Sequence, residues 1–112
     1  MAIKNSKMAE YPFLKEMYSD GYFPNFLVDK GKQILITLCQ AIEANQPGSL
    51  NELYNLTHKA TEAFNALAEE FYENESEIET VARDSIGSDF EQIAKAYGFD
   101  ADVEELIAPR DW

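Results

Sequence analysis

The chain has 112 residues, 46% apolar and 12% aromatic, and its 21 acids against nine lysines and arginines give a formal net charge of -12. That composition supports a folded core and argues against intrinsic disorder, while the charge opposes binding to nucleic acid or an anionic membrane surface. No apolar run approaches the roughly 18 residues of a membrane helix, and no apolar segment follows the basic residues at the N-terminus as in a secretory leader, so a cytoplasmic protein without membrane contact is expected.

Residues 1–10 read as a flexible N-terminal segment. A short helix is predicted over 12–18, opening with Pro12, followed by an aromatic turn at Asp20-Gly21-Tyr22-Phe23-Pro24. A long helix is predicted over 26–45, with Leu27, Val28, Gly31, Leu35, Leu38, Cys39 and Ile42 recurring at the three-and-four spacing of one helix face. Gly31 on that face admits a close neighbour. Pro47-Gly48 breaks the chain. A further helix over 50–73 is expected to bury Leu53, Leu56, Ala60, Phe64, Leu67 and Phe71.

Three Ser-x-x-Glu boxes mark helix starts: Ser49 with Glu52, Ser76 with Glu79, and Ser88 with Glu91. They predict helices over 77–86 and 89–97, divided at Gly87-Ser88, and a last helix over 101–107. The division matters for Asp89. It would face the core of an unbroken 77–97 helix, but as a first-turn acid it is an ordinary complement to the helix dipole. No window alternates long enough to make a strand. The expected fold is all-α, a single-domain antiparallel helical bundle of about five to six helices over residues 1–112.

Few residues carry a chemical signature. Cys39, the only cysteine, lies in an apolar stretch and reads as core rather than nucleophile. His58, the only histidine, recurs with Glu62, Asn65 and Glu69 on one polar stripe. It reads first as a solvated helix face. As an alternative, His58 and Glu62, with Asp84 from the next helix, form a metal site of a metal-binding protein or metal-dependent enzyme. Lys30-Gly31-Lys32 is no P-loop, because Phe26 and Gln33 stand where glycine and Ser or Thr are required. In an antiparallel pair these lysines approach residues 62–69, where Glu62 or Glu69 can neutralise them. No Gly-x-Ser-x-Gly elbow frames a serine, no cofactor is implied, and the reading leans away from an enzyme. The aromatics between Tyr11 and Phe26, together with Trp112, are either a lid on the bundle or an exposed patch.

The charge itself is segregated. Residues 1–48 hold five acids and five lysines, whereas 49–112 hold sixteen acids against Lys59, Arg83, Lys95 and Arg110. Several of these acids belong to helix starts, where they need no function. Glu69, Glu70 and Glu73 instead crowd a helix C-terminus, where the dipole and one another's charge disfavour them. Glu62, Glu69, Glu70, Glu73 and Glu75 are therefore the candidate docking surface for a basic protein partner, of the kind an inhibitor or immunity protein covers. Self-association as a homo-oligomer is the related possibility.

Taken together, Tyr11-Pro12-Phe13-Leu14, Tyr22-Phe23-Pro24, Leu27-Val28-Asp29-Lys30-Gly31-Lys32, Leu56-Thr57-His58, the run from Ser76 to Asp84 and the closing Arg110-Asp111-Trp112 resemble a family of short bacterial proteins known only as a domain of unknown function. The resemblance covers nearly the whole chain. It implies a single-domain bacterial protein and carries over no activity and no site residue.

Overall fold

In the computed structural model, which describes residues 3–112, the chain forms α1 (Ser6–Ala9), α2 (Lys15–Ser19), α3 (Asn25–Asn45), α4 (Leu50–Glu73), α5 (Thr80–Ala96) and α6 (Val103–Leu106), with no strand among the described residues. The long helices α3 and α4 lie within one residue of their predicted bounds because local signals set both ends. Gln46 closes α3 in the left-handed region at φ 46, and the Ser49 hydroxyl accepts the Glu52 N–H at 3.3 Å to open α4. Every position of the predicted α3 stripe is buried. On α4 the stripe holds except at Leu56, which is half-buried, while Thr57 and Thr61 are buried in its neighbourhood. The Thr61 hydroxyl remains satisfied by donating to the Thr57 carbonyl at 2.8 Å.

The two helices pack antiparallel as the most extensive contact of the fold. Gly31 lies on the α3 face packed against Phe64 and Leu67 of α4 and against Leu14. A Cβ there would lie 2.9 Å from Leu14 Cδ1 and 3.1 Å from Phe64 Cε1, so a larger residue requires both side chains to shift. The short helices gather on α5: α1 and α2 pack on it, and α6 bridges it to α4. The radius of gyration, 13.3 Å, is that of one folded unit of this length.

The second half departs from the sequence-based expectation in two places. The predicted division at Gly87-Ser88 is absent, and α5 runs unbroken from Thr80 to Ala96. Gly87 instead lies under the segment that begins at α6: a Cβ there would meet Val103 Cγ2 at 3.5 Å and Ile107 Cδ1 at 3.8 Å, both ordinary contacts. Ser88 is exposed within the helix and caps nothing. Ser76 is not an N-cap either. α4 ends in a Schellman turn, with Asn74 as its last half-helical residue, Glu75 left-handed at φ 60, and the Ser76 N–H returning to the Phe71 carbonyl at 2.8 Å. The buried Ser76 hydroxyl donates to the Tyr22 carbonyl at 3.1 Å, so a residue that looked like a helix start ties α4 to the aromatic turn.

Near the N-terminus the helix predicted from Pro12 begins at Lys15, after Leu14 adopts a left-handed φ of 57. Residues 1–10 contain α1, whose first turn is capped by the Asn5 side chain accepting the Met8 N–H at 3.1 Å; residues 1 and 2 of that segment lie outside the described residues.

Candidate functional site

Because α5 is continuous, Asp89 is not a first-turn acid. It is 5% exposed and points at the N-terminal segment, where its carboxylate accepts the Leu14 N–H at 2.7 Å and the Tyr11 hydroxyl at 3.0 Å. Burial pushes this carboxyl up to about 6 from its usual 3.8, while the Leu14 and Tyr11 donors pull the other way. Tyr11 is pushed to about 12, by burial first and then by the Asp89 charge. The pair forms the floor of a cleft of about 390 Å³ that Lys15, Glu16, Asp84 and Ser88 also line. A buried carboxyl with a raised pKa at the foot of a cleft is a frequent sign of acid–base chemistry. Here both oxygens already hold the chain that precedes α2, so its evident work is anchoring.

A second carboxylate does the same further upstream. Glu43, from α3, accepts the backbone N–H groups of Lys4 at 2.9 Å and Asn5 at 2.9 Å and the Tyr97 hydroxyl at 2.6 Å. Burial would raise its pKa, but these donors outweigh burial and hold it below the usual carboxylate range. Cys39 is fully buried, and burial pushes its thiol up to about 12, far from the pKa of a working nucleophile.

The polar stripe of α4 is covered over part of its length. His58 is half-buried with its ring parallel to Tyr54 at 6.0 Å, and its Nε2 lies 2.7 Å from the Glu105 carbonyl, which requires the proton on that nitrogen. Asn65 donates to the Pro109 carbonyl at 3.1 Å and accepts the Asp111 N–H at 3.0 Å. The stripe thus holds residues 105–111 against α4, a role that spacing on one helix could not reveal. Glu62 stays exposed, and Asp84 lines the cleft beside Ser88 on α5. Among the described residues, no three His, Cys, Asp or Glu side chains are grouped closely enough to hold a metal ion.

The N-terminal aromatics divide between the two roles that the sequence left open. Phe13 and Phe23 are buried, whereas Tyr18, Tyr22 and Phe26 are exposed at the corner between α2 and α3. Trp112 is half-buried, edge-on to Phe64 at 6.1 Å, and its carbonyl accepts the Arg83 Nε–H at 3.3 Å. Its indole N–H is buried and has no hydrogen-bond partner among the described residues.

The candidate docking acids lie where α4 ends. Glu62, Glu69, Glu73 and Glu75 are exposed, and none is in an ion pair among the described residues. Glu70 is half-buried and pairs with Lys30 at 2.5 Å, so the predicted neutralisation by a lysine of α3 occurs one residue beyond the expected acids. Between Glu69 and Glu73 stands Tyr72, 77% exposed, beside a shallow cleft of about 450 Å³ completed by Asn65, Ala68 and Asp111. Tyr72 carries no motif in the sequence, and its place among acids on the polar side of α4 is the one signal there that marks it.

No helix among the described residues is long and apolar enough to cross a membrane. The chain belongs to a family of unknown function (DUF5713), whose model matches residues 7–112. No curated protein and no solved structure matches it.

Proposed function

We propose that this member of a family of unknown function is a non-enzymatic docking protein that binds a basic segment of a protein partner at the acidic end of α4, as an inhibitor or immunity protein covers a cationic site. The observation that carries the reading is Tyr72: a ring 77% exposed, flanked by Glu69 and Glu73 and facing a cleft that Asp111 closes. An isolated exposed aromatic means little. Framed by carboxylates that have no ion pair among the described residues, it offers a lysine or arginine both an ion pair and a ring face for cation–π contact.

Electrostatics favours the same reading. Glu69 and Glu73 are one turn apart and repel each other, and both oppose the negative end of the α4 dipole. A cationic partner relieves both penalties, and the net charge of -12 speeds its approach. The test is capture from extract of the source cell at low and high salt, comparing the wild type with Glu69→Lys/Glu73→Lys and with Tyr72→Ala. A basic protein retained by the wild type at low salt, released by high salt and lost from both variants supports the reading. Equal retention by the variants, or no partner at any salt from a protein that sediments as a monomer, refutes it.

A further inference from the structure

Beside the buried stripes, α3 and α4 leave an open groove of about 300 Å³ between them. Ile34, Leu38, Ala41, Leu56, Ala60 and Ala63 give it an apolar lining. Three of these are alanines on facing helices, whose side chains are too short to meet across the seam, which is why the groove stays open. It accounts for Leu56, the one residue of the predicted α4 stripe that is not fully buried.

Its charge is opposite to that of the molecule. In a chain with 21 acids no acid lines this groove, and its two charged lining residues are Lys30 and Lys59. Lys30 is held by Glu70. Lys59 is exposed and has no ion pair among the described residues. The stretch of α3 from Lys30 to Ala41 is about 16 Å long at the rise of an α-helix. An apolar slot with one uncommitted cation at its edge fits one apolar chain carrying one negative head. A volume near the lower limit of ligand sites, roughly 300 to 1,000 Å³, suits a single chain better than a docked helix, which with side chains is about 10 Å across.

We propose that the α3/α4 groove binds a free medium-chain alkyl carboxylate, its chain against residues 34–41 and its carboxylate on Lys59. This is independent of the acidic end of α4, and either reading can fail without the other. The affinity comes from apolar burial. Lys59 supplies the preference for an anion, which runs against the attraction of a net-negative protein for cationic amphiphiles.

The experiment is calorimetric titration of the full chain with dodecanoate below its micelle concentration, with dodecyltrimethylammonium as the opposite-charge arm. The expected result is one dodecanoate site, with the cationic amphiphile bound about tenfold more weakly. Lys59→Glu abolishes or reverses that preference, and Lys59→Arg keeps it. Ala63→Phe fills the groove and removes binding. Ala63 is exposed, so bulk there can be carried without loss of fold, which a thermal melt verifies. Should Ala63→Phe unfold, the Lys59 pair alone decides the matter. No dodecanoate binding, equal affinity for the two amphiphiles, or a site indifferent to Lys59→Glu overturns the proposal. So does a concentration-dependent dimer abolished by Ala63→Phe in protein that does not take up dodecanoate, which would assign the groove to a second copy of the chain.

Discussion

The carboxylate of Asp89, in the middle of α5, accepts the backbone N–H of Leu14 at 2.7 Å across 75 residues of sequence. Leu14 is the residue whose left-handed φ of 57 turns the chain into α2, a conformation that disfavours a side chain of its size. The strained turn is thus held from outside by a charge buried on another helix. With Glu43 gripping Lys4 and Asn5, two carboxylates fix the N-terminal segment onto the bundle.

The raised pKa of Asp89 makes a prediction with a definite sign. Its folded value of about 6 exceeds the ordinary 3.8, so its contribution to stability is fully present below about pH 3.8 and is lost as pH rises through about 6. The loss is on the order of 3 kcal/mol at neutral pH. Asp89→Asn keeps an oxygen for the Leu14 N–H and offers an amide donor to the Tyr11 hydroxyl oxygen. Its stability relative to the wild type should therefore increase between pH 4 and pH 7 in urea unfolding. A difference that stays constant with pH would show that Asp89 titrates normally.

Gly31 and Gly87 are both helical and buried, yet they should respond in opposite directions to alanine. At Gly31 the new Cβ would meet Leu14 at 2.9 Å and Phe64 at 3.1 Å, and overpacking of that kind costs roughly 1 to 3 kcal/mol. At Gly87 the nearest atom would be 3.5 Å away, an ordinary contact. There the gain in helix propensity, about 1 kcal/mol, has nothing to oppose it. Equilibrium unfolding should show Gly31→Ala destabilised and Gly87→Ala stabilised. Stabilisation of both would mean that Leu14 moves aside freely.

Glu75 occupies the left-handed position of the turn that ends α4, a place where glycine is usual. It also brings a negative charge to the negative end of that helix. Glu75→Gly should raise stability by about 1 kcal/mol. A lower thermal midpoint for this variant would mean that the Glu75 side chain makes a compensating contact.

Trp112 reports whether the chain end belongs to the core. Its ring meets Phe64, and its carbonyl receives Arg83. Trp112→Ala should lower stability by about 2 kcal/mol, less than for a fully buried tryptophan. An unchanged thermal midpoint would show that the ring contributes nothing to the fold.

Sequence alone determined the all-α class, the antiparallel pairing of α3 with α4, the bounds of both, and the accumulation of acids where α4 ends. Each depends on something local: an apolar repeat at the helical period, the break at Pro47-Gly48, the Ser49 cap, or a count of charges. Tertiary structure decided the rest. Ser76 and Ser88 sit in the same local pattern as Ser49, yet neither caps a helix. A cap contributes about 1 kcal/mol, whereas Ile86, Phe90 and Ile93, all buried along an unbroken α5, contribute about 2 kcal/mol each. Continuity therefore wins at Gly87-Ser88. Asp89 follows it into the interior, where the Leu14 N–H and the Tyr11 hydroxyl offset part of the cost of burying its carboxylate. Those partners lie far away in sequence, and no local pattern around residue 89 encodes them.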